Sequence, residues 1–102
     1  MKKYYVRTEI KLYFKIEQEG FDMDTDPWTA VVRCGNNTIT CDRENNSHYS
    51  QEDECWYLLI DSKKLGSGEY VVITDYDVPD SDFYDGYRHQ THKNVLGYFE
   101  FV

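Results

Sequence analysis

The sequence predicts an all-β chain folded as an antiparallel β-sandwich, immunoglobulin-like, with about seven strands. Three observations lead there. Residues 5–17 alternate between apolar and polar side chains almost without error, aromatics make up 17% of the chain with ten tyrosines among them, and no stretch has the length and caps of a helix. A small closed β-barrel is the alternative arrangement of the same strands. With 102 residues there is room for one domain, 1–102, and one core.

In the first run Val6, Thr8, Ile10, Leu12, Phe14 and Ile16 point one way. Tyr5, Arg7, Glu9, Lys11, Tyr13, Lys15 and Glu17 point the other. The run is long for one strand, which predicts a bend, a bulge, or a strand serving two sheets. Residues 18–27 are loop by composition, punctuated by Gly20 and ended by Pro27. Residues 28–34 form the second strand, with Trp28, Ala30, Val32 and Cys34 on its core face. A turn at Gly35, Asn36 and Asn37 returns the chain as a short strand over 38–41.

Residues 42–54 are the most polar part of the chain, expected to be an exposed, comparatively mobile excursion with room for a short irregular strand near 48–51. Residues 55–61, CWYLLID, are apolar on both faces, so that strand is expected to be central or covered twice. The turn that follows has Leu65 as its plug. In the next strand Tyr70, Val72, Thr74 and Tyr76 oppose Val71 and Ile73. Residues 87–93 read as a polar strand or edge segment and 95–102 as a separate closing strand. There Leu96, Tyr98, Glu100 and Val102 oppose Val95, Phe99 and Phe101.

Charge narrows the function. A formal net charge of -8, with the basic residues scattered, is the wrong sign for nucleic acid or an anionic membrane surface. Basic or neutral protein partners and divalent cations remain. Arg7, Glu9 and Lys11 interrupt any apolar signal region after Met1, and no stretch approaches membrane-spanning length. Cys34, Cys41 and Cys55 lack metal-knuckle or redox spacing. Three reduced, mostly buried thiols are preferred over a Cys34–Cys41 disulfide across the hairpin.

Chemistry-bearing residues are few. Asp22, Asp24 and Asp26 in one loop, and Asp75, Asp77, Asp80, Asp82 and Asp85 near another, are hard oxygen ligands of the kind calcium takes. Neither cluster has the spacing of an EF-hand, and the preferred role for Asp22, Asp24, Asp26, Asp80 and Asp82 is turn formation, with no metal or other cofactor. His89 and His92 fall on opposite faces of a strand, which argues against shared ligation. No nucleophile elbow or comparable setting accompanies any serine, so the chain is expected not to be an enzyme. Tyr5, Arg7, Lys11 and Tyr13 on the outward face of the first strand, with Tyr84, are the expected protein interface. Trp28 or Tyr84 could instead provide a stacking platform for carbohydrate, although Trp28 sits where a core residue belongs.

Two motifs carry a family resemblance. LGSGEY at 65–70 is followed by DVPDSDFYDGYR at 77–88, and MDTDPWTAVV occupies 23–32. Together they resemble a pattern in small β-sandwich structural proteins of tailed phages and prophages of gut Bacteroidota, including the crAss-like phages, and they cover about a third of the chain. In this pattern Gly66, Gly68, Pro79 and Gly86 shape the backbone. The resemblance implies a virion protein, an auxiliary capsid protein or a fibre or tail attachment module, assembled in the bacterial host cytoplasm. Its partners would be other virion proteins, with self-association also open. The alternative is a carbohydrate- or surface-binding β-sandwich module, calcium-assisted or not.

Overall fold

The first alternating run is divided between two sheets, the third of the outcomes its length predicts. The computed structural model describes residues 3–6 and 9–101. Its strands are β1 (Lys3–Val6), β2 (Glu9–Phe14), β3 (Trp28–Cys34), β4 (Asn37–Asp42), β5 (Ser47–Ser50), β6 (Cys55–Asp61), β7 (Gly68–Pro79) and β8 (Tyr87–Phe101). One sheet runs β1-β8-β7-β3-β4 and the other β2-β6-β5. Neighbours are antiparallel except β1, which lies parallel to β8. The chain is therefore all-β in two separate sheets, compatible with a sandwich and not with one closed barrel.

The period-2 pattern decides which side chains meet between the sheets. Trp28, Ala30, Val32 and Cys34 of β3 are buried, as are Tyr70, Val72, Thr74, Tyr76 and Val78 of β7. From the smaller sheet Leu58 and Ile60 reach the same core, each contributing on the order of 1.5–3 kcal/mol by leaving water. Trp28 is a core residue, not a stacking platform. Its ring meets Phe14 and Trp56 edge-on at 5.1 and 5.5 Å, and its Nε1–H donates to the Met23 carbonyl at 2.9 Å. The 18–27 loop closes one end of the core, burying Met23 and setting the Phe21 ring at a tilt against Tyr76, centroids 4.8 Å apart.

Three expectations are corrected. The absence of a helix gives way to one helical turn, α1 (Ser62–Leu65), capped by Asp61, whose carboxylate accepts from the Lys63 amide at 3.0 Å. Leu65 is buried on that turn, and Tyr70 Oη donates to the Gly66 carbonyl at 2.6 Å. The polar excursion after β4 is largely exposed and carries the short strand β5, as expected. Asp42 accepts from the amides of Glu44 and Asn45, both at 2.8 Å, and Asn46 Nδ2 donates to the Thr40 carbonyl at 3.0 Å. Residues 87–93 and 95–101 belong to one long strand, since β7 offers a continuous ladder to both. A register shift between Tyr70 and Val71 leaves Leu96 unpaired in that ladder, so Leu96 and Phe99 both turn to the core while Val95 and Tyr98 face out. A bulge of this kind cannot be read from alternation alone.

The thiols are all free. The β3–β4 register pairs Cys34 with Asn37 and Cys41 with Ala30, which sets the two cysteines far apart along the hairpin. Gly35 takes a φ of +58° in the two-residue turn between them.

The two sheets differ in width, and this positions the exposed surfaces. The smaller sheet does not cover the first half of the inner face of β8, where Gln90, His92 and Asn94 are polar and partly or fully exposed. A cleft of about 450 Å³ remains there, between Leu12, Phe14 and Ile16 on one wall and Tyr76, His92 and Leu96 on the other.

Candidate interaction surfaces

The outer face of the smaller sheet is built by register. Tyr13 of β2 and His48 of β5 both sit opposite Tyr57 of β6. Their rings form a row, with centroids 5.7 Å apart for Tyr13–Tyr57 and 5.5 Å for His48–Tyr57. Lys11 reaches over this row, its Nζ 4.8 Å from the Tyr57 ring centroid. Reduced hydration and the Asp53 carboxylate raise the Tyr13 phenol above its ordinary pKa, so it stays a neutral donor. Central β6 thus has a second apolar face, with Cys55, Tyr57 and Leu59 half-buried there and no element laid over them among the described residues.

Lys11 and Tyr13 are thereby brought together, and Tyr57 and His48 join them. Alternation could place Tyr57 on the outer face, but only the strand register shows that it lies between the other two. Arg7 lies outside the described residues, and Tyr5 is described in its backbone only.

Tyr84 stands elsewhere, at the tip of the β7–β8 hairpin. The ladder closes at Pro79–Tyr87, and the loop beyond is held by its own backbone. The Asp80 amide donates to the Gly86 carbonyl at 2.9 Å, Phe83 to Asp80 at 3.2 Å and Gly86 to Phe83 at 2.9 Å. Asp80 and Asp85 also accept from the amides two residues on, Asp82 and Tyr87, each at 3.0 Å. Gly86 supplies the positive φ of +84° that the return requires. Gly66 does the same at the C-cap of α1 with +76°.

The carboxylates of Asp22, Asp26, Asp80 and Asp85 accept from amides of their own turns. The Asp22 and Asp24 amides donate to Asp26 Oδ2 at 2.9 Å and Asp22 Oδ1 at 2.8 Å, while Asp24 also accepts from Trp56 Nε1 at 3.0 Å. No group of three or more His, Cys, Asp or Glu side chains is placed to hold a metal ion among the described residues.

The histidines are separated as their spacing requires. His89 lies on the outer face with Nδ1 2.7 Å from Asp77 Oδ1 and Nε2 3.3 Å from Asp75 Oδ1. His92 lies on the inner face, its Nε2 2.8 Å from Tyr76 Oη and its ring stacked on that tyrosine. Thr91 joins the first arrangement, its Oγ1 donating to Asp75 Oδ1 at 2.5 Å and lying 3.4 Å from His89 Nε2. A shallower hollow of about 380 Å³ is lined by Phe21, Asp22, Asp24, Tyr49 and Trp56, where Tyr49 meets Trp56 edge-on at 5.8 Å.

No family model, no curated protein and no solved structure matches this chain.

Proposed function

We propose that the chain is a non-enzymatic, immunoglobulin-like β-sandwich module of a tailed-phage virion, an auxiliary capsid or fibre or tail attachment protein that binds other virion proteins. The observation that carries this reading is the uncovered row of Tyr13, Tyr57 and His48 with Lys11 above it. Packed aromatic rings on the second apolar face of a central strand are what the middle of a protein interface is made of. The motifs at 65–70 and 77–88 support the phage assignment through their resemblance to virion proteins. Free thiols, two of them buried, suit assembly in a reducing host cytoplasm.

The experiment is to purify particles on a density gradient from a host producing the phage, with the chain tagged. The chain should band with the particles, and Tyr57→Ala should lower its occupancy. Recovery of all the chain as free monomer at the top of the gradient would sink the proposal.

A carbohydrate- or surface-binding module is the second reading, favoured by the hollow that combines Tyr49 and Trp56 with Asp22 and Asp24. Aromatic and carboxylate groups together are the means by which proteins hold sugars. Saturable binding to a glycan array, lost in Trp56→Ala, would replace the first reading with this one.

A further inference from the structure

We propose that the β7–β8 hairpin tip is a pre-organised aromatic knob that docks into an apolar socket rimmed by lysine and arginine on a different protein. The inference rests on the reading of this chain as a protein-binding module and names the chemistry of one partner.

Exposure is the first ground. Phe83 is 47% exposed, Tyr84 fully so and Tyr87 52%, and these three make up nearly half of the large exposed hydrophobic residues described. Single exposed rings are ordinary, whereas three within five residues of one loop form a contact set.

Rigidity is the second. Three backbone hydrogen bonds and two aspartate turns fix residues 80–87 without help from the aromatic side chains. The rings are therefore not needed to hold the loop, and the loop holds them ready. Little ordering cost is left at the backbone when they bind.

Charge selects the partner. Arg88 Nη1 lies 3.4 Å from Asp80 Oδ2 and offsets that carboxylate. No cation lies against Asp82 or Asp85 among the described residues, so two negative charges flank the rings. A second copy of this chain, itself at -8, is disfavoured as occupant, and a basic rim is favoured.

Site-specific photo-crosslinking tests this. A benzophenone amino acid is placed by Tyr84→p-benzoylphenylalanine, and at exposed Glu44 as control, in the host that naturally makes the protein. The expected result is one discrete adduct from position 84, absent from position 44, joined to a lysine- or arginine-lined patch. Its yield should fall at least about threefold in Asp82→Asn/Asp85→Asn, where an asparagine at 85 keeps the oxygen that accepts from the Tyr87 amide and position 82 serves the turn through its backbone amide, and again in about 0.5 M salt. No adduct at 84, equal adducts from 44, an adduct to another copy of the chain, or a yield indifferent to charge overturns the inference. The two readings fail separately. An adduct to a basic patch on a protein that is not part of a virion keeps the knob and removes the virion assignment, whereas particle-bound chain without an adduct at 84 does the opposite.

Discussion

Gly68 and Cys34 are in contact through an absent atom: a β-carbon on Gly68 would lie 2.7 Å from Cys34 Sγ. The same thiol donates to the Ser67 carbonyl at 3.4 Å, so it cannot swing away freely, and Gly68 itself holds a φ of +148°. Gly68→Ala should therefore destabilise the fold by about 1–3 kcal/mol, from overpacking and backbone strain together. Cys34→Ala in the same chain should recover part of that loss. Urea unfolding of both single variants and the double variant gives the coupling, expected at about 0.5–2 kcal/mol in the sense that the double is better than the sum. Strict additivity would show that the thiol is not what excludes the alanine.

His89 is held between two carboxylates on the outer face of β7 and β8. The hydrogen bond that its Nδ1–H donates to Asp77 raises its pKa most, opposed by some desolvation and helped by the charges of Asp77 and Asp75. Imidazole chemical shifts should then give His89 a midpoint above the ordinary 6.5, and Asp77→Asn should bring it down. The folded value is raised, so the stabilisation is fully present below about 6.5 and is lost as pH rises through the folded midpoint. A titration that Asp77→Asn leaves unmoved would rule out the hydrogen bond as the cause.

The strands were legible where one face is buried and the other wet. Trp28 to Cys34 and Val72 to Val78 alternate in burial with the period that the sequence reading assigns them, because a one-residue slip would expose every core side chain. What escaped was set by non-local pairing. The join of 87–93 to 95–101 depends on β7 running alongside, and the turn of both Leu96 and Phe99 to the core depends on the bulge opposite Tyr70. The helical turn at α1 escaped because one turn has no period to detect, though Asp61 and Gly66 were in place as its caps. Of the proposed interface, Lys11 and Tyr13 were readable from alternation, while the position of Tyr57 between Tyr13 and His48 required the register of three strands.

Trp28 does two things in the core, and Trp28→Phe separates them. Phenylalanine keeps most of the edge-on contact with Phe14 and Trp56 but loses the Nε1–H donated to Met23. The cost should be about 1–3 kcal/mol, the sum of a lost hydrogen bond and a small void. Trp28→Ala should cost about 3–5 kcal/mol. Chemical denaturation of the two variants measures both, and equal losses would mean that the ring volume contributes little.

Tyr57 is the residue on which the proposed interface depends, because it alone touches Tyr13, His48 and Lys11. In the isolated chain each cross-strand pair is worth about 0.2–1 kcal/mol, so Tyr57→Ala should lower stability by about 1–2 kcal/mol. Tyr13→Ala, on the edge strand and 52% exposed, should lower it by less than about 1 kcal/mol. Binding should amplify this order, because a ring at the centre of a desolvated contact costs about 2 kcal/mol or more when truncated, roughly thirtyfold in affinity. Urea midpoints and particle occupancy, measured on the same two variants, separate folding from binding. If Tyr57→Ala folds at its expected midpoint yet fills particles as wild type does, the row only covers its sheet and the interface lies elsewhere on the molecule.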